Sequence, residues 1–495
     1  MLNLGHILAA LTDYQPTGKE PAVASVVVDS REAGPGSLFV ALPGEHVDGH
    51  DYVADAFARG AVAALVDRPV GDSATPSWPV IDTTAPLDLA SLSPWGRAGE
   101  RGRERAGQRF ARKAAPRPVV IQVDNTLRAL QAVARVWRAR FNVRVIGITG
   151  SVGKTSTKEL TAAILSRRFN TLKSTGNQNN EIGVPLTLLN LRPEHERAVI
   201  EMGMYAQGEI DLLCDLARPE IGVVTMIGPV HLERLGSLEA IVAAKRELVA
   251  ALPESGTAVL NLDDARVMSM ASHTKARIFT YGLDQGADLW ADRIESMGLD
   301  GVRFTLHHAG ESLSVRVPLL GRHSVHTALR ATAVGLIEGL SWEEIVAGLN
   351  AMASQLRLVV SDGPRGSVII DDTYNSSPDS ALAALNLLAD LQGRRIAVLG
   401  DMLELGRAEK QAHRVVGRRA ADVADVVITV GARARTIADE ALALGLPVER
   451  VLSVDDAPEA TPLLRELIQA GDVVLVKGSL GMRMDRIVSA LGELD

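Results

Sequence analysis

The chain has 495 residues, of which 46% are hydrophobic and only 3% aromatic, and its formal net charge is -8. This length exceeds what one hydrophobic core usually supports and suggests about three domains, while the composition is typical of a globular α/β protein. The acidic balance excludes the strongly basic class of nucleic-acid-binding proteins, so we expect small-molecule partners and no nucleic acid.

Cysteine content and the first residues indicate the cellular compartment. A single cysteine, Cys214, cannot form an internal disulfide, and its simplest interpretation is a small buried residue. The segment Met1 to Leu11 has no basic stretch before its apolar one, and no apolar run reaches the roughly 18 residues of a membrane span. We therefore predict a cytoplasmic protein without a membrane span, and nothing in the sequence requires more than a monomer.

Residues 1–123 are predicted to form a small N-terminal α/β domain. Short apolar runs alternate with loops rich in Gly, Pro and Asp, and one helical pattern covers Tyr52 to Arg59. The predicted strands are Val23 to Val28, Leu38 to Leu42, Val62 to Val66 and Val80 to Asp82.

An arginine-rich insertion interrupts this domain at about residues 85–118. Residues 97–117 carry eight basic side chains against two acidic ones. A charge run with little apolar content is typical of a solvated, disordered insertion. The alternative is a docking patch for an anionic surface.

The segment Val143 to Lys158 carries the clearest functional pattern, because an apolar run bends through two glycines into a helical pattern. Gly150 and Gly153 permit backbone conformations that point successive N–H groups at one anion, and Lys154 adds a positive charge. We predict a nucleoside triphosphate site, with the Thr155 hydroxyl on Mg²⁺. Its residues are Gly150, Ser151, Val152, Gly153, Lys154, Thr155 and Ser156. The alternative is an ordinary glycine-containing turn between a strand and a helix.

Strand and helix patterns continue to the end of the chain and predict two further domains. Residues 124–340 are predicted to be a central P-loop ATP-binding domain with a parallel sheet. Residues 341–495 begin at the helix N-cap pattern Ser341-Trp-Glu-Glu344 and are predicted to be a C-terminal Rossmann-like α/β domain. Its predicted strands are Ser367 to Ile370, Arg395 to Leu399, Asp425 to Val430 and Asp472 to Val476. Such sheets bind ligands at the carboxyl ends of their strands.

Three side chains beyond the phosphate loop are candidates for metal chemistry. Glu201 ends an apolar strand where Mg²⁺ beside a phosphate loop would lie, although such a glutamate can also cap a helix. His231 and Lys245 follow the next apolar run. Each alone is more often structural or solvated, and their shared position gives the functional interpretation equal weight.

Polar clusters mark two other segments. The loop Lys173 to Pro185 contains Asn177, Asn179 and Asn180; it suits a polar ligand, and a loop held by Asx-turns is the equal alternative. In the last third, the polar residues of Ile370 to Pro378 and of Val398 to Gly406 follow consecutive strands. These two strand ends predict a ligand-binding edge.

Taken together, these motifs resemble the Mur ligase family over nearly the whole chain. The family's loop reads T-G-x-x-G-K-T/S, which Thr149 to Thr155 satisfies. The other matching segments are Asp29-Ser-Arg31, Leu38 to Leu42, Asp48-Gly-His50, Gly176 to Pro185, Ile200 to Met204, Asp371 to Asn375, Leu399 to Gly406 and Lys477 to Ser479.

The resemblance implies an ATP-dependent ligase with magnesium as a cofactor. It implies that D-alanyl-D-alanine is joined to UDP-N-acetylmuramoyl-tripeptide through an acyl phosphate in peptidoglycan synthesis, with ADP and phosphate as products. One alternative is a sister Mur or folylpolyglutamate-type ligase with a different amine substrate. The remote alternative is a non-catalytic, nucleotide-dependent switch.

The resemblance also implies roles for single residues. The implied catalytic residues are Lys154, Glu201, His231 and Lys245, and the implied metal ligands are Thr155, Glu201, His231 and, if carbamylated, Lys245. The implied nucleotide contacts outside the phosphate loop are Asn261, His323, Arg357 and Asp371. The implied substrate contacts are Ser30, Arg31, Asn177, Asn179, Asn180, Asp372, Tyr374 and Asn375.

Three segments depart from the family's pattern. Thr225-Met226 stands where asparagines usually precede the histidine, and Leu356-Arg357 replaces Gly-Arg. Ser324 and Thr327 follow His323 where asparagines are usual.

Overall fold

The computed structural model describes residues 1–44, 47–70, 78–84, 117–351 and 359–492. The chain divides into two compact units. The first comprises Met1–Val143, Ser174–His195 and Asp215–Ala217, and the second comprises Arg144–Lys173, Glu196–Cys214 and Arg218–Asp495. Most of the arginine-rich insertion, residues 85–116, and the predicted nucleotide contact Arg357 lie outside the described residues.

Helices and strands alternate along the described chain. The α-helices are α1 Leu4–Leu11, α2 Val53–Ala58, α3 Thr126–Arg138, α4 Lys154–Leu165, α5 Gly183–Leu189, α6 Glu209–Ala217, α7 Leu232–Leu235, α8 Leu238–Ala250, α9 Ala265–Met268, α10 Ser324–Ile337, α11 Trp342–Asn350, α12 Pro378–Ala389, α13 Glu409–Val423, α14 Arg435–Ala443, α15 Ala457–Leu467 and α16 Asp485–Gly492. The strands are β1 Ser25–Val27, β2 Ser37–Val40, β3 Ala63–Val66, β4 Val80–Asp82, β5 Val119–Gln122, β6 Arg144–Thr149, β7 Thr171–Lys173, β8 Arg197–Glu201, β9 Ile221–Val224, β10 Thr257–Asn261, β11 Arg277–Gly282, β12 Leu289–Ser296, β13 Val302–His308, β14 Glu311–Val317, β15 Val359–Gly363, β16 Ser367–Asp372, β17 Arg395–Gly400, β18 Val426–Val430, β19 Val451–Val454 and β20 Val473–Lys477.

The first unit contains a five-stranded, fully parallel sheet with strand order β1-β2-β3-β5-β4. Its middle strands carry side chains that are buried on both faces, as parallel strands covered by helices require. One side of the core is formed by Phe39, Ala64 and Val120, with Val53 and Ala56 of α2 packed against them.

The second unit contains two sheets. The nine-stranded sheet has the order β14-β13-β12-β11-β10-β9-β6-β8-β7, and the six-stranded sheet has the order β15-β16-β20-β17-β18-β19. Helices α4, α10 and α11 cover one face of the larger sheet with a continuous apolar core. The smaller sheet has a separate core on each face. The predicted α/β class with parallel sheets is confirmed, and the predicted domain boundaries at 123/124 and 340/341 stay predictions.

Local sequence explains how the elements begin. Ser341 caps α11 reciprocally with Glu344, as the sequence pattern predicted. Asn125 caps α3 by accepting a hydrogen bond from the Arg128 backbone N–H at 2.8 Å. The strands predicted for residues 1–123 and for residues 341–495 begin and end within a few residues of the observed strands.

The larger sheet departs from the predicted strand-helix alternation at one edge. β13 is antiparallel to both β12 and β14, and no α-helix separates the three strands, only the short 3-10 turn Gly298–Asp300 between β12 and β13. β13 and β14 meet at a two-residue turn in which Ala309 (φ 50°) and Gly310 (φ 83°) both have left-handed backbones. That is the geometry of a tight hairpin turn. In the smaller sheet β15 is likewise antiparallel to β16.

Every helix in the described part of the chain is too short or too polar to pass through a bilayer.

Candidate active site

The phosphate loop joins β6 to α4 in the second unit. Gly150 (φ 142°) and Gly153 (φ 85°) have backbone conformations that side-chain-bearing residues rarely adopt. Gly153 is the N-cap of α4 and has no side chain that could cap the helix, so the N–H groups of Lys154, Thr155 and Ser156 begin the helix without a side-chain cap. An uncapped helix N-terminus attracts an anion, as predicted for this loop.

Neighbouring residues hold the loop in this shape. A Cβ atom at Gly150 would lie 1.8 Å from the Thr225 hydroxyl oxygen, so only glycine fits there. The Thr225 hydroxyl donates a hydrogen bond to the Val152 carbonyl at 2.7 Å. The Ser151 backbone N–H donates to the Met226 carbonyl at 2.8 Å, and its hydroxyl donates to the Gly228 carbonyl at 3.0 Å. Thr225, a departure from the family's pattern, thus braces the loop.

Two lysines one helical turn apart occupy the start of α4. The Lys154 ammonium donates to the Gly150 carbonyl at 3.0 Å, which places its charge over the loop. Lys158 is fully buried, and its Nζ lies 3.2 Å from a Glu159 carboxylate oxygen and 3.7 Å from Glu201 Oε2. Glu201 is itself only 1% exposed at the end of β8. The predicted carboxylate is therefore present beside the loop, together with a lysine that the sequence reasoning did not single out.

Arg330 of α10 is a further buried cation at the loop. Its guanidinium Nε donates to the Thr157 hydroxyl at 2.9 Å, and Nη2 donates to the Thr327 hydroxyl at 2.8 Å. A Cβ atom at Gly153 would lie 2.9 Å from Arg330 Nη2. The nearby Tyr281 hydroxyl donates to the Thr225 carbonyl at 2.9 Å, and burial raises the pKa of Tyr281 to about 12.

His231 precedes α7 and contacts the C-terminal region of the chain. Its Nδ1 lies 2.5 Å from the Glu404 carboxylate, and its ring packs edge-on against Tyr205. Burial lowers the pKa of His231, the carboxylate of Glu404 opposes this, and the Lys154 cation lowers it further, as does Lys245 whenever it is protonated. The lowered pKa favours the neutral ring, the state in which a histidine nitrogen can bind a metal.

Lys245 lies on α8 and is only 2% exposed. Burial lowers its pKa well below the usual lysine value, and the neighbouring Lys154 cation acts in the same direction. A neutral amine is nucleophilic, whereas an ammonium is not. The alternative of a solvated helix charge does not describe this side chain.

Two of the predicted nucleotide contacts, Asn261 and His323, lie at ends of elements. Asn261 ends β10, and its side-chain oxygen accepts a hydrogen bond from the Asp263 backbone N–H at 3.1 Å. His323 precedes α10 and stays accessible to solvent. Desolvation by the surrounding protein lowers the pKa of His323, as do the cations of Lys477 and Arg330. Ser324, where the family usually has asparagine, donates its hydroxyl to the Gly321 carbonyl at 2.7 Å.

The carboxyl edge of the six-stranded sheet brings its polar residues together. Lys477 at the end of β20 is 1% exposed and binds the Asp372 carboxylate at 2.6 Å and the Asn375 carbonyl at 2.9 Å. Asp371 accepts the Thr373 hydroxyl at 2.7 Å, and Tyr374 is partly exposed. This carboxyl edge contains the polar residues that follow the predicted strands. Several of their charged groups already bind one another or neighbouring polar groups.

The predicted substrate contacts Ser30 and Arg31 belong to the first unit. Ser30 is buried, whereas the Arg31 side chain is 82% exposed and forms a 2.6 Å ion pair with Asp29. Asp29 also accepts the Arg31 backbone N–H, and the hydrogen bonds from Arg31 lower the pKa of Asp29 to about 2. This arrangement presents a guanidinium at the surface of the unit.

The asparagine-rich loop also belongs to the first unit. The Asn180 side-chain oxygen accepts the Gly183 backbone N–H at 2.9 Å, at the start of α5. The Asn179 backbone N–H donates to the Asn177 carbonyl at 2.7 Å. Asn180 therefore makes the kind of side-chain contact expected if the loop is held by Asx-turns. Asn177, in contrast, is exposed.

The residues at the loop fit a magnesium ion that arrives with a phosphate. Among the described residues, no three or more His, Cys, Asp or Glu side chains are grouped so that they could hold a metal. Magnesium usually takes one or two carboxylates and completes its shell with waters and substrate phosphate oxygens. The buried carboxylate of Glu201 and the hydroxyl of Thr155 in the first turn of α4 are donors of this kind.

Sequence reasoning missed three residues of this site. Lys158 is four residues after Lys154, so helical spacing placed both on one face of α4. Arg330 is the one arginine in a mostly apolar helix, a pattern that indicates a satisfied buried charge. Glu404 lies in a predicted ligand edge, but only the fold brings it to His231.

Three protein-family profiles match successive parts of the chain. It matches the profile of the Mur ligase family, catalytic domain, over residues 22–88. It also matches the Mur ligase middle domain over 148–335 and the Mur ligase, glutamate ligase domain, over 356–480. A UDP-N-acetylmuramoyl-tripeptide–D-alanyl-D-alanine ligase from Synechocystis is 36% identical over 95% of this chain and 92% of that protein.

Solved structures agree with these matches. MurF from Acinetobacter baumannii is 30% identical, with a TM-score of 0.80 over 99% of each chain. A MurF ligase from Thermotoga maritima in complex with ADP is 25% identical, with a TM-score of 0.75 over 95% of this chain and 97% of that one. The chain therefore belongs to the Mur ligase family.

Proposed function

We propose that this protein is an ATP-dependent ligase that joins D-alanyl-D-alanine to UDP-N-acetylmuramoyl-tripeptide in peptidoglycan synthesis. The observation that carries the proposal is the uncapped N-terminus of α4 with Lys154 above it. The name of the Synechocystis relative, which aligns with 95% of this chain, supports the choice of substrates. The ADP in the Thermotoga maritima structure supports ATP as the energy source.

The first chemical step brings two anions together. A carboxylate oxygen of the tripeptide attacks the γ-phosphorus of ATP, the bond to the bridging oxygen breaks, and ADP leaves with its electron pair. Positive charge must be in place before the oxygen approaches. Lys154 and the N-terminal N–H groups of α4 supply this charge, and the hydrogen bond from Lys154 to Gly150 orients the ammonium over the loop.

The second step forms the amide. The neutral amine of D-alanyl-D-alanine attacks the acyl carbon, the carbon–oxygen bond to phosphate breaks, and the nitrogen gives up a proton. Water would destroy the acyl phosphate, so the reactants must be held close together and away from solvent. The polar edge around Asp372, Tyr374 and Asn375 is our proposed site for the amine substrate.

Magnesium belongs to the proposal as the partner of the nucleotide. Thr155, Glu201 and His231 would hold it, and Lys245 would join them after carbamylation converts its amine into an oxygen ligand. Bound magnesium would neutralise charge on the phosphate oxygens. The low pKa of Lys245 supports this role, because only the neutral amine reacts with carbon dioxide.

The remaining assignments extend the proposal to the whole chain. Ser30 and Arg31 would contact the uridine nucleotide, and Asn177, Asn179 and Asn180 the rest of this substrate. Asn261, His323, Arg357 and Asp371 would contact ATP. We also propose three domains at residues 1–123, 124–340 and 341–495, and a monomeric, cytoplasmic enzyme.

Phosphate release measured with each substrate omitted in turn tests this function. We expect release only when ATP, UDP-N-acetylmuramoyl-tripeptide and D-alanyl-D-alanine are all present. Lys154→Ala should lower kcat by about 10³-fold, because preorganised charge at the transferring phosphate is lost. Lys410→Ala, which removes an exposed lysine from α13, is the charge-matched control and should keep the parental rate.

The same assay separates the alternatives. A sister ligase would require a different amine in place of D-alanyl-D-alanine. A nucleotide-dependent switch would hydrolyse ATP slowly with neither substrate present. An unchanged rate in Lys154→Ala would contradict the proposed chemistry for either ligase.

A further inference from the structure

A contact between two distant segments places Glu404 against His231. Glu404 belongs to the segment Leu399 to Gly406, which matches the family's pattern and lies at the predicted ligand-binding edge, but for Glu404 itself the sequence predicts no role. His231 follows the strand β9 of the other sheet. The imidazole Nδ1 and the Glu404 carboxylate oxygen Oε2 are 2.5 Å apart, which makes this a short side-chain hydrogen bond.

The backbone on both sides of this contact is held in unusual conformations. His231 has φ 53° and Glu404 has φ 63°, left-handed values that are uncommon outside glycine. The Glu233 backbone N–H donates to the Glu404 carbonyl at 3.3 Å. A Cβ atom at Gly406 would lie 3.1 Å from the Glu233 Cα. The two segments are therefore joined by backbone as well as by side chains.

The ring of His231 is fixed on a second side. Tyr205 packs edge-on against it, with ring centroids 4.8 Å apart and planes inclined at 71°. Arg234 lies over the Tyr205 ring, 4.9 Å from its centroid. With Glu404 at Nδ1 and Tyr205 at its side, the imidazole has a defined orientation.

The partner of Nδ1 decides which nitrogen can bind a metal. An ionised carboxylate only accepts hydrogen bonds, so the Nδ1 atom that faces Glu404 must carry the proton. In the neutral ring the lone pair then lies on Nε2. Histidines that bind metals commonly donate their other N–H to a carboxylate, which fixes both the tautomer and the ring orientation.

Stability does not explain the contact. The His231 side chain is 25% exposed and that of Glu404 is 44% exposed, and ion pairs at this exposure contribute little to stability because solvent screens them. A left-handed backbone at a residue other than glycine is itself destabilising. Destabilising features that no neighbouring interaction offsets are typical of functional sites.

We propose that Glu404 is a positioning residue that sets the tautomer and orientation of His231, so that Nε2 faces the magnesium–nucleotide complex. This inference rests on the proposed function, since it assumes that His231 binds the metal. It also gives the motif Leu399 to Gly406 a role, because docking of this segment on His231 completes the metal ligand. A nucleotide bound while the segment is undocked would hold its metal more weakly.

The tautomer can be measured without metal, nucleotide or turnover. Protein labelled with ¹⁵N-histidine is examined by NMR at pH 8, and the His231 signals are assigned by their loss in His231→Gln. We expect the parent to carry its proton on Nδ1 and Glu404→Ala to shift toward the Nε2-protonated form. Glu404→Gln keeps an accepting oxygen and should retain the parental tautomer.

Metal affinity is the second measurement. The dissociation constant of Mn²⁺ is determined by electron paramagnetic resonance in the presence of the non-hydrolysable ATP analogue AMPPCP. We expect Glu404→Ala to weaken Mn²⁺ binding by about 10-fold or more, the usual effect of removing the partner of a metal-binding histidine. Excess Mg²⁺ should restore most of kcat while the KM for Mg²⁺ stays raised. Glu409→Ala is the matched control, because its carboxylate binds Arg433 at 2.9 Å instead of His231.

The outcomes separate the inference from the proposed function. An unchanged tautomer in Glu404→Ala, or Mn²⁺ affinity within about twofold of the parent, overturns the positioning role. Unchanged Mn²⁺ affinity in His231→Ala overturns both this role and the assignment of His231 as a ligand. Phosphate release without the two substrates contradicts the proposed function alone. Thermal unfolding of each variant confirms that it is folded.

Discussion

Two helices that follow parallel strands in this protein begin in opposite ways. α4 follows β6 and starts at Gly153, which offers no side chain to its first N–H groups. α12 follows β16 and starts at Ser377, whose side chain accepts the Ser380 backbone N–H, with Pro378 in the first turn. The N-terminus of α4, which has no side-chain cap, is called the open site below, and that of α12, which the chain itself caps, is called the closed site.

The two helix N-termini also differ in how the charged side chains near them are arranged. At the start of α12, Lys477 is bound to Asp372 and to the Asn375 carbonyl. At α4, Lys154 lies close enough to the buried Lys245 for its charge to lower the lysine's pKa. The Lys154 ammonium therefore acts on its surroundings, and a positive charge at a helix N-terminus favours an anion there. The comparison supports our proposal that phosphates bind at α4, while ligands at α12 would have to compete with contacts that already exist.

Gly150→Ala should have the largest effect, since it changes the backbone geometry of the phosphate loop at the open site. The new Cβ atom would lie 1.8 Å from the Thr225 hydroxyl oxygen, and φ is 142°. Overpacking and backbone strain together should destabilise the protein by roughly 4 kcal/mol. We expect a lower unfolding temperature by calorimetry and loss of measurable ATP binding by isothermal titration.

Gly208→Ala is the matched control for that experiment. Gly208 also has a positive φ of 90°, but a Cβ atom there would meet nothing within 4 Å. It should cost about 1 kcal/mol from backbone strain alone and leave ATP binding intact. Equal effects of the two variants would show that the close approach of Thr225 is unimportant.

The sequence predicted the open site better than the closed one, for a physical reason. A phosphate loop is a local structure, because the strand, two glycines, lysine and helix are contiguous from Arg144 to Leu165. Strand-end positions also identified Asp371 and Asp372. What the local pattern could not supply was pairing over long separations, such as Lys477 with Asp372 or Glu404 with His231.

The antiparallel edge of the larger sheet was missed for a different reason. β13 alternates buried and exposed side chains, and Ala309-Gly310 forms a two-residue turn. This pattern is as local as the phosphate loop. It differs from the usual Asn-Gly or Asp-Gly hairpin signal, and alanine rarely adopts the left-handed backbone that this turn requires.

The closed site can be tested by removing the ion pair between Lys477 and Asp372. We expect a smaller loss of stability than for Gly150→Ala. Lys477→Met should destabilise the protein by about 3 kcal/mol, because it takes a cation from a carboxylate that is largely buried. Asp372→Asn in the Lys477→Met background should recover part of this loss. Chemical denaturation of the two single variants and the double variant measures the coupling.

Additive effects of the two substitutions would contradict the comparison. They would mean that Lys477 and Asp372 do not stabilise each other, and that the edge is as open to ligands as α4. Arg435→Met and Asp455→Asn form the matched control, because their 2.7 Å ion pair is more than half exposed on both sides. We expect coupling of at most about 1 kcal/mol there.

Lys245 provides the smallest and most specific test of the open site, through its pH dependence. Its pKa in the folded protein lies well below 10.5, the ordinary value that we expect in the unfolded chain. Between these two pKa values the unfolded chain binds more protons than the folded one, so stability rises with pH. Lys245→Met should therefore gain about 1–2 kcal/mol at neutral pH in buffer free of carbon dioxide.

The gain should shrink as the pH approaches 10.5, where the lysine is neutral in both states and the penalty for burying its charge vanishes. Thermal unfolding of parent and variant across pH 7–10 measures this difference, in which the other titrating groups cancel. Bicarbonate should stabilise the parent but not the variant if the neutral amine is carbamylated. A difference that does not change with pH would mean that Lys245 stays protonated in the folded protein, and an ammonium at this position could not react with carbon dioxide or bind a metal.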